Sequence, residues 1–453
     1  MEVINKAPME NKMGTKPVAG LLIKMSLPIM LSMFVMALYN IVDSIFVAQV
    51  SSEALTGVSL AFPFQMILIG VGVGTGIGVN SLISRSLGEK NQLRANNTAS
   101  IGIILALLSG LLFSLLYFFL SEPLMRIFIS DDLILPQATS YLRICGTFCT
   151  FSMIGIMMEK IIQGTGSMIP PMVIQLAGAV TNIILDPILI FGYFGITPMG
   201  VDGAAIATVI GQGFSMLVAI LFLRKDKQIS IGFRGLKIDW SIIKGIYSVA
   251  MASIVMQCIG SFTTFALNAI LMVFTPVAVN VLGIYFKIQS FVFMPIFGLN
   301  SGALPIMAYN YGAKNKKRFK DTLKYGIIIA VSIMIVGVLV FQFFPGTLLS
   351  LFNADKVMLD MGTRALRIIS ICFPFAAVGI MLVTMFNALG KGIYSLIVSA
   401  ARQLLVIVPA ALILANTVGL DGVWFAYPIA EIVGMVLSAI FFKITYKKYI
   451  ANM

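Results

Sequence analysis

The 453-residue sequence is 59% hydrophobic and 11% charged, with a mean hydropathy of +1.00. A soluble globule usually carries about 25% charged residues, so the composition excludes that class and points to a membrane protein. The net charge of +13 would suit nucleic acid if it were clustered, and the lack of histidine excludes a histidine proton relay and most zinc or haem sites.

A helix crosses the roughly 30 Å hydrocarbon core in about 20 apolar residues, and twelve such stretches follow one another. The first 23 residues carry Lys6, Lys12 and Lys16 without an apolar core or cleavage site, so they read as a cytoplasmic segment rather than a removable signal. The first span, 24–48, holds Pro28 and the stretch "ALYNIVDSIFVA", with Tyr39, Asn40 and Asp43 at one-turn spacing. The second, 57–83, contains "GVGVGTGIGV", which lacks the strand a nucleotide loop needs and reads as close helix packing. After 98–120 comes 134–163, where Glu159 beside Lys160 is expected to reach the headgroups. In "NIILDPILIFG" of span 171–194, Asn182 lies one turn before Asp186, and Pro187 cannot donate to the Ile183 carbonyl. Span 203–224 presents Ala204 and Thr208, again one turn apart.

A polar linker, 225–242, leads to spans 243–275, 278–308, 322–345, 358–387, 393–416 and 422–445, followed by a tail, 446–453. Gln257 and Asn268 lie in the seventh span, Lys287 in the eighth, Arg402 in the eleventh and Glu431 in the twelfth. Cys145, Cys149, Cys258 and Cys372 all fall inside spans, where cysteine usually packs as a small apolar residue.

The chain is written twice. "GEKNQLRANNTASIGIILA" from Gly88 returns 224 residues later as "GAKNKKRFKDTLKYGIIIA" from Gly312. After a five-residue slip, "GVDGAAIA" from Gly200 pairs with "GLDGVWFA" from Gly419. Each half holds six crossings, an even number, so the halves are parallel repeats. The expected architecture is an all-α membrane protein of twelve transmembrane helices in two six-helix lobes, 24–224 and 243–445, related by pseudo-two-fold symmetry. With the N-terminus inside, 24 of the 31 Lys and Arg fall on the cytoplasmic side. That is the positive-inside pattern, with both termini cytoplasmic in a cell membrane, and it removes nucleic acid as a partner.

An ionised side chain at the centre of a membrane helix costs about 2.5–3.5 kcal/mol on insertion scales, so it marks function by default. Asp43 and Asp186, with amide and hydroxyl oxygens nearby, suit a hard cation or a proton shared between two carboxyls. The competing reading makes each a hydrogen-bonded structural residue. The second half does not repeat these acids: Asp43 meets Leu267 and Asp186 meets Ala410 at the 224 offset. There, Glu431 is expected to pair with Lys287 or Arg402, since a lone buried charge is costly. Those three, with Gln257, are the candidate polar residues of a second-lobe cavity.

The stretches "SLPIM", "ALYNIVDSIFVA", "NIILDPILIFG", "GVDGAAIATVIGQ" and "FMPIFGLNSGALPIMAYNYGAKN" resemble the multidrug and toxic compound extrusion (MATE) family over essentially the whole chain. The resemblance implies an antiporter, not an enzyme, that exchanges Na+ or H+ for amphiphilic, often cationic, drugs and needs no cofactor. It implies a first-lobe cation site at Tyr39, Asp43, Asn182, Asp186 and Thr208, with Na+ ligands Asp43, Asn182, Asp186 and Thr208 if sodium is the coupling ion. It also makes Pro28 the bending proline of the first helix. One branch of the family carries second-lobe acids on the helices matching the seventh, eighth and tenth here, which have none beyond Asp360 at the very start of the tenth. A monomer surrounded by lipid is expected. The alternatives are a flippase for lipid-linked or polyprenyl-linked headgroups, with Lys287 and Arg402 reading a phosphate, and a channel with passive flux.

Overall fold

The computed structural model describes residues 11–129, 131–233, 239–352, 354–451 and 453. The basic residues Lys6, Arg234 and Lys237 lie outside the described residues. The described chain is helical, without strands. In the first half it runs α1 (Lys12–Thr15), α2 (Val18–Val50), α3 (Ser52–Gly88), α4 (Gln92–Arg126), α5 (Ile134–Thr147), α6 (Cys149–Gly164), α7 (Ile169–Phe191) and α8 (Gly200–Lys225). The second half runs α9 (Trp240–Met272), α10 (Pro276–Gly312), α11 (Lys316–Phe343), α12 (Pro345–Ser350), α13 (Lys356–Ser370), α14 (Phe373–Ala388), α15 (Gly392–Ala400), α16 (Val408–Thr417) and α17 (Leu420–Thr445).

Ten of the described helical segments are long and apolar enough to cross a membrane, and two bent pairs bring the number to twelve if each pair is one crossing. The pairs are α5 with α6, bent by 49°, and α13 with α14, bent by 46°. They correspond to the fourth and tenth expected spans, which are therefore broken rather than straight. At the second break Pro374 in the first turn of α14 has no amide hydrogen to continue the ladder. The eleventh span is interrupted too: Ala401–Ile407, between α15 and α16, is wound as a π-helix.

The duplication is visible in the backbone. After α3, Lys90 adopts φ 58°, and Asn91 caps α4 by accepting from the Arg94 N–H at 3.0 Å. After α10, Lys314 adopts φ 54°, and Asn315 caps α11 by accepting from the Arg318 N–H at 3.1 Å. Left-handed lysines are uncommon, so the same one at the same place in both repeats reflects one inherited turn. One turn inside each helix, Thr98 and Thr322 each donate back to the carbonyl four residues earlier at 2.7 Å.

By its contacts the chain divides into two units. Among the described residues, one comprises Asn11 and the stretch from Leu31 to Ala250, the other Lys12 to Met30 and the stretch from Met251 onward. The first part of α2 therefore counts with the second unit, and the first part of α9 with the first. Glycines at matching positions admit both segments. A Cβ on Gly78 of α3 would stand 2.3 Å from the Ile246 carbonyl oxygen of α9, and one on Gly302 of α10 would meet Ser26 of α2 at 2.5 Å. The first unit's core gathers Val47 of α2, Tyr117 of α4, Leu142 and Cys145 of α5, Met153 of α6 and Ile190 of α7. In the second, Phe341 and Phe373 pack edge to face at 5.2 Å, and Tyr285 meets Tyr427 at 5.6 Å. Leucines such as Leu27, Leu31, Leu38 and Leu115 stay exposed, a surface that suits a chain solvated by hydrocarbon.

Candidate functional site

In the first unit, the site stands on three helices. On α2, Tyr39 and Asp43 lie one turn apart on one face, as Asn182 and Asp186 do on α7. The crossing of α7 and α8 is close because its contact points are glycines. A Cβ on Gly203 would lie 2.6 Å from the Leu189 carbonyl, and one on Gly211 would lie 2.9 Å from the Gly178 oxygen. This approach brings Thr208 of α8 onto Asn182.

Asn182, Asp186 and Thr208 are buried, Asp186 completely. With its nitrogen facing the acid, the Asn182 amide donates to Asp186 Oδ2 at 2.8 Å, and its oxygen accepts from the Thr208 N–H at 3.1 Å and from Thr208 Oγ1 at 3.3 Å. This orientation satisfies both ends of the amide. The Asp43 and Asp186 carboxyls lie close enough to interact, and Tyr39 stands near both acids and near Thr208. Asp43 Oδ1 is buried without a hydrogen-bond partner. Two carboxylates at such a separation repel unless a proton or a cation stands between them. The surrounding groups offer oxygen from carboxylate, amide, hydroxyl and phenol, a donor set for a hard cation. No cluster of three or more His, Cys, Asp or Glu occurs among the described residues.

All five residues expected at the first-lobe site thus come together. Two more residues that the sequence did not single out, Tyr141 and Gln65, and the packing residue Cys145 stand beside them. Tyr141 of α5 is buried within electrostatic range of Asp43 and Tyr39, and its side chain contacts Gln65 and Cys145. Cys145 packs in the first unit's core, as a small apolar residue would. The one available signal was the broken repeat, since Tyr141 meets Ala365 at the 224 offset just as Asp43 meets Leu267. Glu159 corrects a further expectation. It is buried rather than at the headgroups, because Gln163 and Gln175 donate to Oε1 at 2.7 and 2.8 Å and Lys160 stands 3.6 Å away. Three donors offset its desolvation, so it can stay inside.

In the second unit, Arg402 is Glu431's partner. Its Nη1 donates to both carboxylate oxygens, at 2.8 and 3.0 Å. Lys287 is exposed instead, with its ammonium 5.9 Å from the Phe352 ring, and Gln257 is exposed on α9. The ion pair borders a cavity of about 280 Å3 whose walls include Tyr285, Phe293, Gln403 and Tyr427, and neither Lys287 nor Gln257 lines it. The π-helical segment carries both Arg402 and Gln403, and the Arg402 stem packs on Gly434. Removing one partner strands a charge, so Glu431→Ala is expected to cost about 3 kcal/mol. The double variant Arg402→Met/Glu431→Leu should cost clearly less. Thermal unfolding of both variants checks this, and equal losses would mean the pair is not coupled.

A family model described as MatE matches residues 28–188 and again 252–412, two segments separated by the same 224-residue step. The chain is 28% identical over 418 residues to the multidrug export protein MepA of Staphylococcus aureus (strain bovine RF122 / ET3-1), covering 92% of this chain and 91% of that protein. Its fold is similar to a solved structure of MATE in the straight conformation, with TM-score 0.90, 26% identity and coverage of 98% and 99% of the two chains. It is also similar to one in the bent conformation, with TM-score 0.89, 26% identity and coverage of 96% and 97%.

Proposed function

The chain belongs to the MatE family, and on that premise we propose that it is a multidrug efflux antiporter that exchanges Na+ or H+ for amphiphilic drugs by alternating access. The observation that carries the coupling is the meeting of Asp43 and Asp186 in one buried, oxygen-rich site. A cation must bind two conformations with different affinity to drive a cycle between them. Two acids that a cation holds together and its departure drives apart supply such a difference. Pro28 lies three residues before Leu31, where α2 passes from one unit's contacts to the other's. The bond its missing amide leaves unmade gives α2 a place to bend there. Relatives and neighbours described as a multidrug export protein and as bent and straight MATE conformations support the same reading.

The flippase alternative has lost its phosphate readers, because Arg402 is committed to Glu431 and Lys287 stands away from the cavity. Efflux of a cationic dye from proteoliposomes, under sodium and proton gradients imposed separately, tests the proposal. Export driven by one gradient and abolished by its collapse is expected. Equal flux with no gradient would identify a channel.

A further inference from the structure

Outside the coupling site, the second unit carries a groove of about 450 Å3 along α11 and the end of α17. Both helices pack on α14. Phe319, Leu323, Ile327 and Ile328 of α11 and Phe442 of α17 make the walls apolar, and the aliphatic stems of Lys320 and Lys324 run along them while both lysines stay exposed. The chain beyond Thr445 winds as a π-helix, Tyr446–Ile450, and places both Tyr446 and Ile450 in the groove. Lys316 donates to the Ala451 carbonyl at 2.6 Å and pins this end. The ammoniums of Lys316 and Lys320 lie 6.0 and 5.6 Å from the centre of the Tyr446 ring.

The charge around the mouth is one-sided. Residues 314–324 carry Lys314, Lys316, Lys317, Arg318, Lys320 and Lys324 against Asp321 alone, and Lys443, Lys447 and Lys448 have no acid near them in sequence. Cations in the first turns of α11 oppose the positive end of its own dipole, a placement that costs helix stability. The charge bias across the membrane asks for basic residues on this side. It does not ask for two exposed lysines one turn apart over a greasy channel. We infer that the groove binds one anionic phospholipid, its phosphate on Lys320 and Lys324 and an acyl chain along Leu323, Ile327, Ile328 and Phe442. A soluble anion would leave the apolar walls unused, and an amphiphilic cation would meet the lysines. Basic pockets between membrane helices beside apolar surface suit such headgroups. The inference stands independently of the transported substrate and the coupling ion.

Delipidated full-length protein in neutral detergent, titrated with phosphatidylglycerol or phosphatidylcholine and followed by native mass spectrometry and thermal unfolding, tests it. Phosphatidylglycerol is expected to bind and to raise Tm, while phosphatidylcholine and inorganic phosphate at the same concentration do not. Lys320→Glu/Lys324→Glu should weaken phosphatidylglycerol binding by tenfold or more, on the order expected for two lysines near an anionic surface. Lys320→Gln/Lys324→Gln serves if the charge reversal does not fold. Ile328→Trp should weaken binding with no change of charge. Lys225→Glu/Lys227→Glu, the same charge change on exposed residues at the end of α8 and just beyond it, should bind like wild type. Unchanged binding in the Lys320/Lys324 variants, an equal loss in the Lys225/Lys227 control, or an equal shift with phosphate overturns the inference.

Discussion

Replacing Asp43 with Asn is expected to lower gradient-driven efflux at least about tenfold, the effect of losing roughly 1.4 kcal/mol of differential cation binding, without loss of stability. The two halves of that expectation separate function from folding. Asn keeps the shape and one acceptor oxygen of Asp43, but removes the charge that, in the proposed coupling, joins Asp186 in holding a cation. It also removes the repulsion between the half-buried Asp43 carboxyl and the buried Asp186 carboxyl. An ionised side chain at the middle of a membrane helix is costly, so Tm should hold or rise, by the equivalent of about 1 kcal/mol or more. Asp186→Asn should lose efflux as fully, but with a stability cost, because the hydrogen bond that Asn182 donates to Asp186 Oδ2 at 2.8 Å would pass from a carboxylate acceptor to a weaker neutral amide oxygen. Dye efflux from proteoliposomes with matched protein content, and thermal unfolding of the same preparations, make the measurements. A drop in Tm for Asp43→Asn with transport intact would reassign the residue to structure.

Gly203→Val is expected to be among the most damaging apolar substitutions in the chain. The Cβ would enter within 2.6 Å of the Leu189 carbonyl carbon and oxygen and 2.9 Å of the Ile190 nitrogen. Backbone cannot swing aside as a side-chain tip can, so α8 would have to move off α7. Overpacking of this kind costs about 1–3 kcal/mol and occasionally more, and the upper end is expected. The displacement would also draw Thr208 from Asn182, so efflux should fall even in the fraction that folds. Gly213→Ala, on the same helix, is the control. Its nearest neighbour would be Phe151 at 3.8 Å, an ordinary contact, and exchanging an interior helical glycine for alanine should gain up to about 1 kcal/mol. Thermal unfolding in detergent separates the two variants. Similar Tm values would mean that the α7–α8 crossing tolerates a side chain and does not fix the site.

Much of this protein is written along the chain at short range. Apolar length sets the number of crossings, because the bilayer has one thickness. The repeat of "GEKNQLRANN" as "GAKNKKRFKD" forecasts two copies of one turn, and Lys90 and Lys314 adopt it with nearly the same φ. One-turn spacing puts Tyr39 with Asp43 and Asn182 with Asp186, since a helix fixes its own faces. Which faces meet depends on residues far apart in sequence, and that only the tertiary structure decided. The glycines of the α7–α8 crossing bring Thr208 to Asn182, Tyr141 arrives from α5 without any motif, and Arg402 rather than Lys287 reaches Glu431 from within a π-helical segment. Glu159 shows the same limit from the other side. A carboxylate near a span end can turn to water or inward, and the choice fell to Gln175, a donor on another helix sixteen residues on. The assignment of the start of α2 to the second unit and the start of α9 to the first follows from packing at Gly302 and Gly78. Hydropathy cannot report it, because an apolar helix is equally content against lipid or against either unit.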